Sequence, residues 1–72
     1  MDYAQRIKNL RKEKKIKQLD IIAELNMHPT TYKRYESGEQ KPPVDFIKKL
    51  CLFYNISADY FLGLTDEQKP LK

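Results

Sequence analysis

An all-α domain of five short helices is what this sequence predicts, on three observations. Apolar residues recur three and four positions apart in successive segments, as one buried face of a helix requires. Between those segments stand Asn26, Gly38, Asn55 and Gly63, which suit left-handed turns, and Pro29 and Pro43, which suit first helical positions. No segment reads as a strand.

The first helix is expected over residues 3–14, with Tyr3, Ile7 and Leu10 on its inner face. A loop at 15–17 leads to a second helix over 18–25, where Ile21, Ile22 and Leu25 share a face. Asn26 closes it, and Met27 plugs the core at the turn. His28 and Pro29 start a third helix over 29–37, because Pro at the first position gives up only an N–H that would be unpaired anyway. Tyr32 and Tyr35 are spaced to point inward, which leaves Thr30, Thr31, Lys33 and Arg34 pointing outward, and Ser37-Gly38 ends the helix. After a loop at 38–42, Pro43 opens a fourth helix whose inward stripe is Val44, Ile47, Leu50, Cys51 and Tyr54. Asn55 closes that helix and Ile56 packs in the connection. Ser57 caps a short fifth helix that carries Asp59 at its positive end and stops at Leu62-Gly63. These elements make one domain over residues 1–65, and the aperiodic stretch 66–72 reads as a mobile tail.

Composition narrows the class. A chain of 72 residues folds alone but buries only about 60% of its extended surface, so its stability is modest. No run approaches the roughly 20 apolar residues of a membrane span, and charges arrive too early for a signal peptide. One cysteine forms no internal disulfide, which suits the reducing cytoplasm. One His and one Cys leave any metal site short of ligands. Two glycines provide no phosphate-cradling loop, Cys51 has no paired base and sits on an inward face, and no carboxylate pair is set for catalysis, so an enzyme is rejected. No cofactor and no small-molecule pocket are expected.

Charge is uneven. Residues 6–17 carry seven basic side chains against Glu13, or +6; residues 18–72 carry seven basic and eight acidic ones, or −1; Asp2 brings the total to +4. A basic N-terminal element of this kind suits a polyanion-binding surface.

The stretch from Gln18 to Gly38, QLDIIAELNMHPTTYKRYESG, is a helix-turn-helix unit: two short helices, a tight turn, and hydrogen-bond donors on the outer face of the second. Its spacing serves most often to lay a helix into the DNA major groove. With RIKNLRKEKKIKQ (6–18), YESGEQKP (35–42) and LCLFYNISADYFLGLTD (50–66), the chain resembles the phage repressor and Cro-like family of helix-turn-helix regulators. The ordered set covers nearly the whole sequence. The resemblance implies a five-helix, lambda-repressor-like DNA-binding domain with the unit at about 18–37.

The resemblance and the geometry of a recognition helix together nominate Pro29, Thr30, Lys33 and Arg34 to face bases. Arg34 can donate two bonds to guanine O6 and N7, Lys33 can reach the same acceptors, and Thr30 can contact a base or a thymine methyl. Gln18, Thr31, Gln40 and Lys41 are nominated for the DNA backbone, where contacts fix register without choosing sequence. Tyr32 is assigned to the core. Arg11 and Glu36 match an arginine–glutamate pair of the family and are expected to form a scaffold bridge that locks the third helix on the first. Departures from the family pattern are Lys17 and His28 in place of the usual helix caps, Leu19 where a charge is expected, and Ile22 where a small residue is usual. The last implies a wider separation of the second and third helices or a shifted crossing angle.

Three functions compete for this sequence. The leading one is a sequence-specific regulator of transcription, a repressor that binds double-stranded DNA in the cytoplasm as a homodimer on half-sites about one turn apart. Its dimer is expected to be weak off DNA, with Phe46, Phe53, Leu52, Ala58 and Leu64 as apolar contact candidates. The alternative keeps the fold but gives it a protein partner, as in an antitoxin. The third, an enzyme, is rejected above.

Overall fold

The computed structural model describes residues 3–71; the ends of the expected domain and tail, at 1–2 and 72, lie outside the described residues. Five helices form in the expected order: α1 (Tyr3–Glu13), α2 (Gln18–Glu24), α3 (Pro29–Ser37), α4 (Val44–Tyr54) and α5 (Ala58–Phe61). No strand occurs among the described residues.

The helix ends follow the local chemistry. Asn26, Asn55 and Gly38 take left-handed conformations, with φ of 52°, 56° and 85°, and stop α2, α4 and α3. Lys15 does the same after α1 at φ 57°, a turn made by a residue with no special liking for it. His28 caps α3 by accepting the Thr30 N–H on Nδ1 at 3.3 Å, and Ser57 accepts the Asp59 N–H at 3.3 Å. Lys17 precedes α2 without a side-chain cap, as a lysine must. Its place is taken in part by Asp20, whose negative charge meets the positive helix end.

Ile7, Leu10, Ile21, Tyr32, Leu50 and Phe61 are fully buried, one or more from each helix, so a single core joins all five. Ile22 and Leu25 complete the inner face of α2, and Met27 packs against the core as expected. The bulky Ile22 is accommodated inside the core.

Three expectations about apolar faces need correction. Phe46, placed by its spacing off the inward stripe and nominated for an interface, is 3% exposed. The two tyrosines of α3 need a lid, and Phe46 supplies it, its ring 4.7 Å from that of Tyr35 and 5.8 Å edge-on from that of Tyr32. Val44, expected inside, is 82% exposed because the first residue of α4 lies beyond the reach of the core. Tyr3 is exposed for the same reason at the start of α1, and Ala4 is buried in its stead. Of the other interface candidates, Leu52 and Leu64 are exposed, whereas Phe53 and Ala58 pack half-buried against the core.

Residues 66–71, read from sequence as a mobile tail, carry no regular element and lie against the domain. The Lys69 carbonyl accepts the Ser57 N–H at 2.7 Å, and Gln68 donates to Glu13 at 2.8 Å. Arg6 reaches across from α1, donating to the Thr65 carbonyl at 2.8 Å and to Asp66 at 2.6 Å. Its guanidinium also lies over the Tyr60 ring, 4.8 Å from the centroid.

Candidate nucleic-acid interface

The position of α3 is set from beneath by one carboxylate. Arg11 on α1 forks onto Glu36, with Nε to Oε2 and Nη2 to Oε1, both at 2.9 Å, and its Nη1 donates to the Ile16 carbonyl at 2.8 Å. The scaffold pair read from the sequence is therefore bidentate and tied to the loop before α2, with side chains 12% and 3% exposed. Two further donors converge on Glu36: the Tyr32 hydroxyl at 2.6 Å and Gln18 Nε2 at 3.1 Å. Burial alone would push this carboxyl up. The hydrogen bonds from Arg11, Tyr32 and Gln18, with the nearby guanidinium charge, outweigh burial and hold it below the ordinary carboxylate range. Arg11 is raised in turn by its bond to Glu36, and Tyr32 is raised by burial and then by the same carboxylate. At neutral pH the group is one charged pair with a protonated tyrosine beside it.

With Tyr32, Tyr35 and Glu36 turned inward, helical geometry directs Thr30 and Arg34, four residues apart, to the opposite face. Pro29, Thr30, Lys33 and Arg34 are all exposed, and Thr31 is half-buried. Arg34 rests 3.8 Å from Glu39, an exposed pair of the kind worth about 0–1 kcal/mol and readily exchanged for another acceptor. The loop after α3 is anchored to it: the Arg34 carbonyl accepts the Gln40 N–H at 3.2 Å, and Ser37 Oγ accepts the Glu39 N–H at 3.3 Å. Gln40 and Lys41 are thereby held, exposed, just past the C-terminal end of α3.

A cleft of about 480 Å³ opens between α1 and α3, lined by Lys8, Arg11, Gln18, Lys33, Glu36 and Ser37. Lys33 shares this cleft with Gln18, a backbone candidate, whereas Thr30 and Arg34 stand opposite the core. In the sequence reading Lys8 counts in the basic element but is not singled out as a site residue. Its spacing three before Arg11 puts it on the same side of α1, and that was the available signal.

The basic element also needs correction. Arg6 was counted with the polyanion-facing charges, yet it is buried and spent on Thr65, Asp66 and Tyr60. Arg11 is spent on Glu36 and Ile16. The exposed charges of 6–17 are then Lys8, Lys12, Lys14, Lys15 and Lys17 against Glu13, which is five minus one, or +4 rather than +6. Cys51 is buried, and burial pushes its thiol up, away from the thiolate that nucleophilic chemistry needs. Among the described residues no group of His, Cys, Asp and Glu is placed to hold a metal, and no helix is long and apolar enough to cross a membrane.

Two short helices joined by a tight turn, with a clamped second helix and donors along its outer face, find their match among known proteins. Residues 7–61 match the helix-turn-helix family. This chain belongs to the Cro-like helix-turn-helix family.

Among its relatives, the HTH-type transcriptional regulator YobD of Bacillus subtilis (strain 168) is 37% identical over 68 residues, covering 94% of this chain and 61% of YobD. The cryptic phage CTXphi transcriptional repressor RstR of Vibrio cholerae is 34% identical over 73 residues, covering 99% of this chain and 65% of RstR. A crystal structure of a transcriptional regulator from Listeria innocua superposes with a TM-score of 0.77 at 30% identity, over 92% of this chain and 62% of that one. The chain thus spans less than two thirds of the length of each of these three proteins.

Proposed function

We propose that this domain is a transcriptional regulator, a repressor, that binds double-stranded DNA sequence-specifically in the cytoplasm, with α3 in the major groove. Arg34, Thr30, Pro29 and Lys33 are the base-facing set. Gln18, Thr31, Gln40 and Lys41 contact phosphates on either side, joined by Lys8 at the rim of the cleft. The observation that carries this reading is the orientation of α3: the Arg11–Glu36 fork holds its inner face down while Thr30 and Arg34 are exposed on the outer one, Arg34 beside Glu39. The names of the relatives, regulators and a phage repressor, support the same conclusion.

One nine-residue helix spans only a few base pairs, so the domain binds as a homodimer on an inverted repeat, with half-sites roughly 10 bp apart. Exposed Leu52 and Leu64 are available for self-association, and so is an apolar groove of about 510 Å³ lined in part by Tyr3, Val44, Ile47, Cys51, Ala58 and Leu62. The antitoxin-like alternative gains no specific support, since Phe46, the largest of the partner-binding candidates with Phe53, is core.

The test is a comparison of variants on a selected operator and on random duplex. Arg34→Ala should cost about 1–3 kcal/mol on the operator and relax the preference at one base pair. Lys41→Ala should weaken both duplexes alike. Equal weakening of both by Arg34→Ala would remove its base-reading role.

A further inference from the structure

We propose that Tyr32 is a positioning residue for the phosphate contact at Gln18, acting through Glu36; this rests on the DNA-binding reading above and adds a residue to it. Tyr32 is fully buried, and its ring belongs to the aromatic layer with Phe46. A phenylalanine would fill that space equally well. What only the tyrosine adds is a hydroxyl that donates to Glu36 Oε2 at 2.6 Å across one turn of α3, in the short range of a bond to a carboxylate.

The consequence lies on the other oxygen. An ionised carboxylate offers about four acceptor sites. Here Tyr32 and Arg11 Nε fill Oε2, while Arg11 Nη2 and Gln18 Nε2 fill Oε1. The arginine fork sets the plane of the carboxylate, and the Tyr32 hydroxyl is a second donor on Oε2. With Oε2 held from two sides, Oε1 has one direction, toward the start of α2. Gln18 must then present its NH2 end to Glu36, because a flipped amide would set its carbonyl oxygen against a negative charge. One N–H is committed to Glu36, and the same side chain lines the cleft that Lys8 and Lys33 also line, where its second N–H can serve. An amide donor in a cleft that two lysines also line suits one oxygen of an anionic DNA phosphate. Pinning it before DNA arrives removes part of the ordering cost that binding would otherwise carry.

The experiment uses Tyr32→Phe, with Tyr32→Leu as a second hydroxyl-free variant should the first fold poorly, and two readouts. In the free protein, the side-chain amide protons of Gln18 are followed by NMR. They are expected to shift and exchange faster in the variant, and unchanged signals would overturn the proposal whatever the DNA result. On DNA, Tyr32→Phe should weaken binding to operator and random duplex by about 3- to 10-fold alike, the equivalent of one hydrogen bond. In a Gln18→Ala background the same change should cost nothing further. An equal loss with and without Gln18 would mean that Tyr32 serves the core alone, and the proposal would fall while DNA binding stood. If the unaltered protein binds no duplex at all, it is the DNA reading that fails, and the phosphate role falls with it.

Discussion

Replacing Glu36 by glutamine would strike the point on which the placement of α3 depends. The substitution keeps the shape and removes the charge, so the Arg11 guanidinium, 12% exposed, loses its counterion and keeps the Ile16 carbonyl as its one assured acceptor. Four donors now meet at Glu36: two from Arg11, one each from Gln18 and Tyr32. A glutamine offers them one oxygen and sets its own NH2 against the rest. Breaking a buried pair from one side costs about 3–5 kcal/mol, against a total stability of about 5–15 kcal/mol whose low end suits so short a chain. For a domain of this length each kcal/mol moves the midpoint by about 4–8 °C, so Tm should fall by roughly 12–40 °C. Thermal unfolding followed by circular dichroism at pH 7 measures it. The double variant Arg11→Met/Glu36→Leu should recover most of the loss, since removing both charges leaves no buried ion unpaired. A Glu36→Gln midpoint within about 4 °C of the original protein, or under 1 kcal/mol, would refute the view that this carboxylate anchors α3.

Three further outcomes are expected. Gly38→Ala should cost about 1–2 kcal/mol through its φ of +85° alone, because an added Cβ would meet only Ala4 at an ordinary 3.5 Å; the urea midpoint should move with an unchanged slope. Arg6→Ala should destabilise by about 1–3 kcal/mol through loss of the Thr65, Tyr60 and Asp66 contacts, whereas Asp66→Asn, at a residue whose side chain is 96% exposed, should cost at most about 1 kcal/mol. Stability should fall at both ends of the pH scale, as urea midpoints would record. Glu36 titrates below its ordinary value when folded, so its contribution is present above about pH 4.3 and is lost as pH drops through the folded value. Tyr32 and Tyr54 are raised by burial, Tyr54 to about 12, so their contribution holds below about pH 10 and is lost as pH rises through the folded values. Tyr54→Phe should flatten that alkaline arm without loss at neutral pH, because the buried Tyr54 hydroxyl has no hydrogen-bond partner.

The order and ends of the helices were legible because the signals are local. Asn26, Gly38 and Asn55 stop helices by a backbone preference that needs no tertiary context, and Tyr32 and Tyr35 declare the inner face of α3 by spacing. The Arg11–Glu36 pair was reached through family resemblance, since 25 positions separate the two residues. Helical period failed at the helix ends: Tyr3 and Val44 are in phase with their stripes yet lie past the edge of the core. It failed at Phe46 because a stripe drawn on α4 alone does not include the width of the tyrosine pair it must cover. Counting charge overstated the basic surface, because nothing in the string of letters distinguishes a solvated lysine from Arg6, which folds back under Tyr60 and Asp66. The convergence of Tyr32 and Gln18 on one carboxylate is likewise a tertiary fact, for the residues come from two helices and meet only when α2 and α3 are packed.

The most direct test of the central claim is selection of binding sites from random duplex DNA, with the affinities of the selected sites measured against random duplex at two salt concentrations. The account predicts an inverted repeat with half-sites roughly 10 bp apart, bound about 10³-fold or more tightly than random duplex. Enrichment of no sequence, with only weak binding that disappears as salt rises, would contradict it.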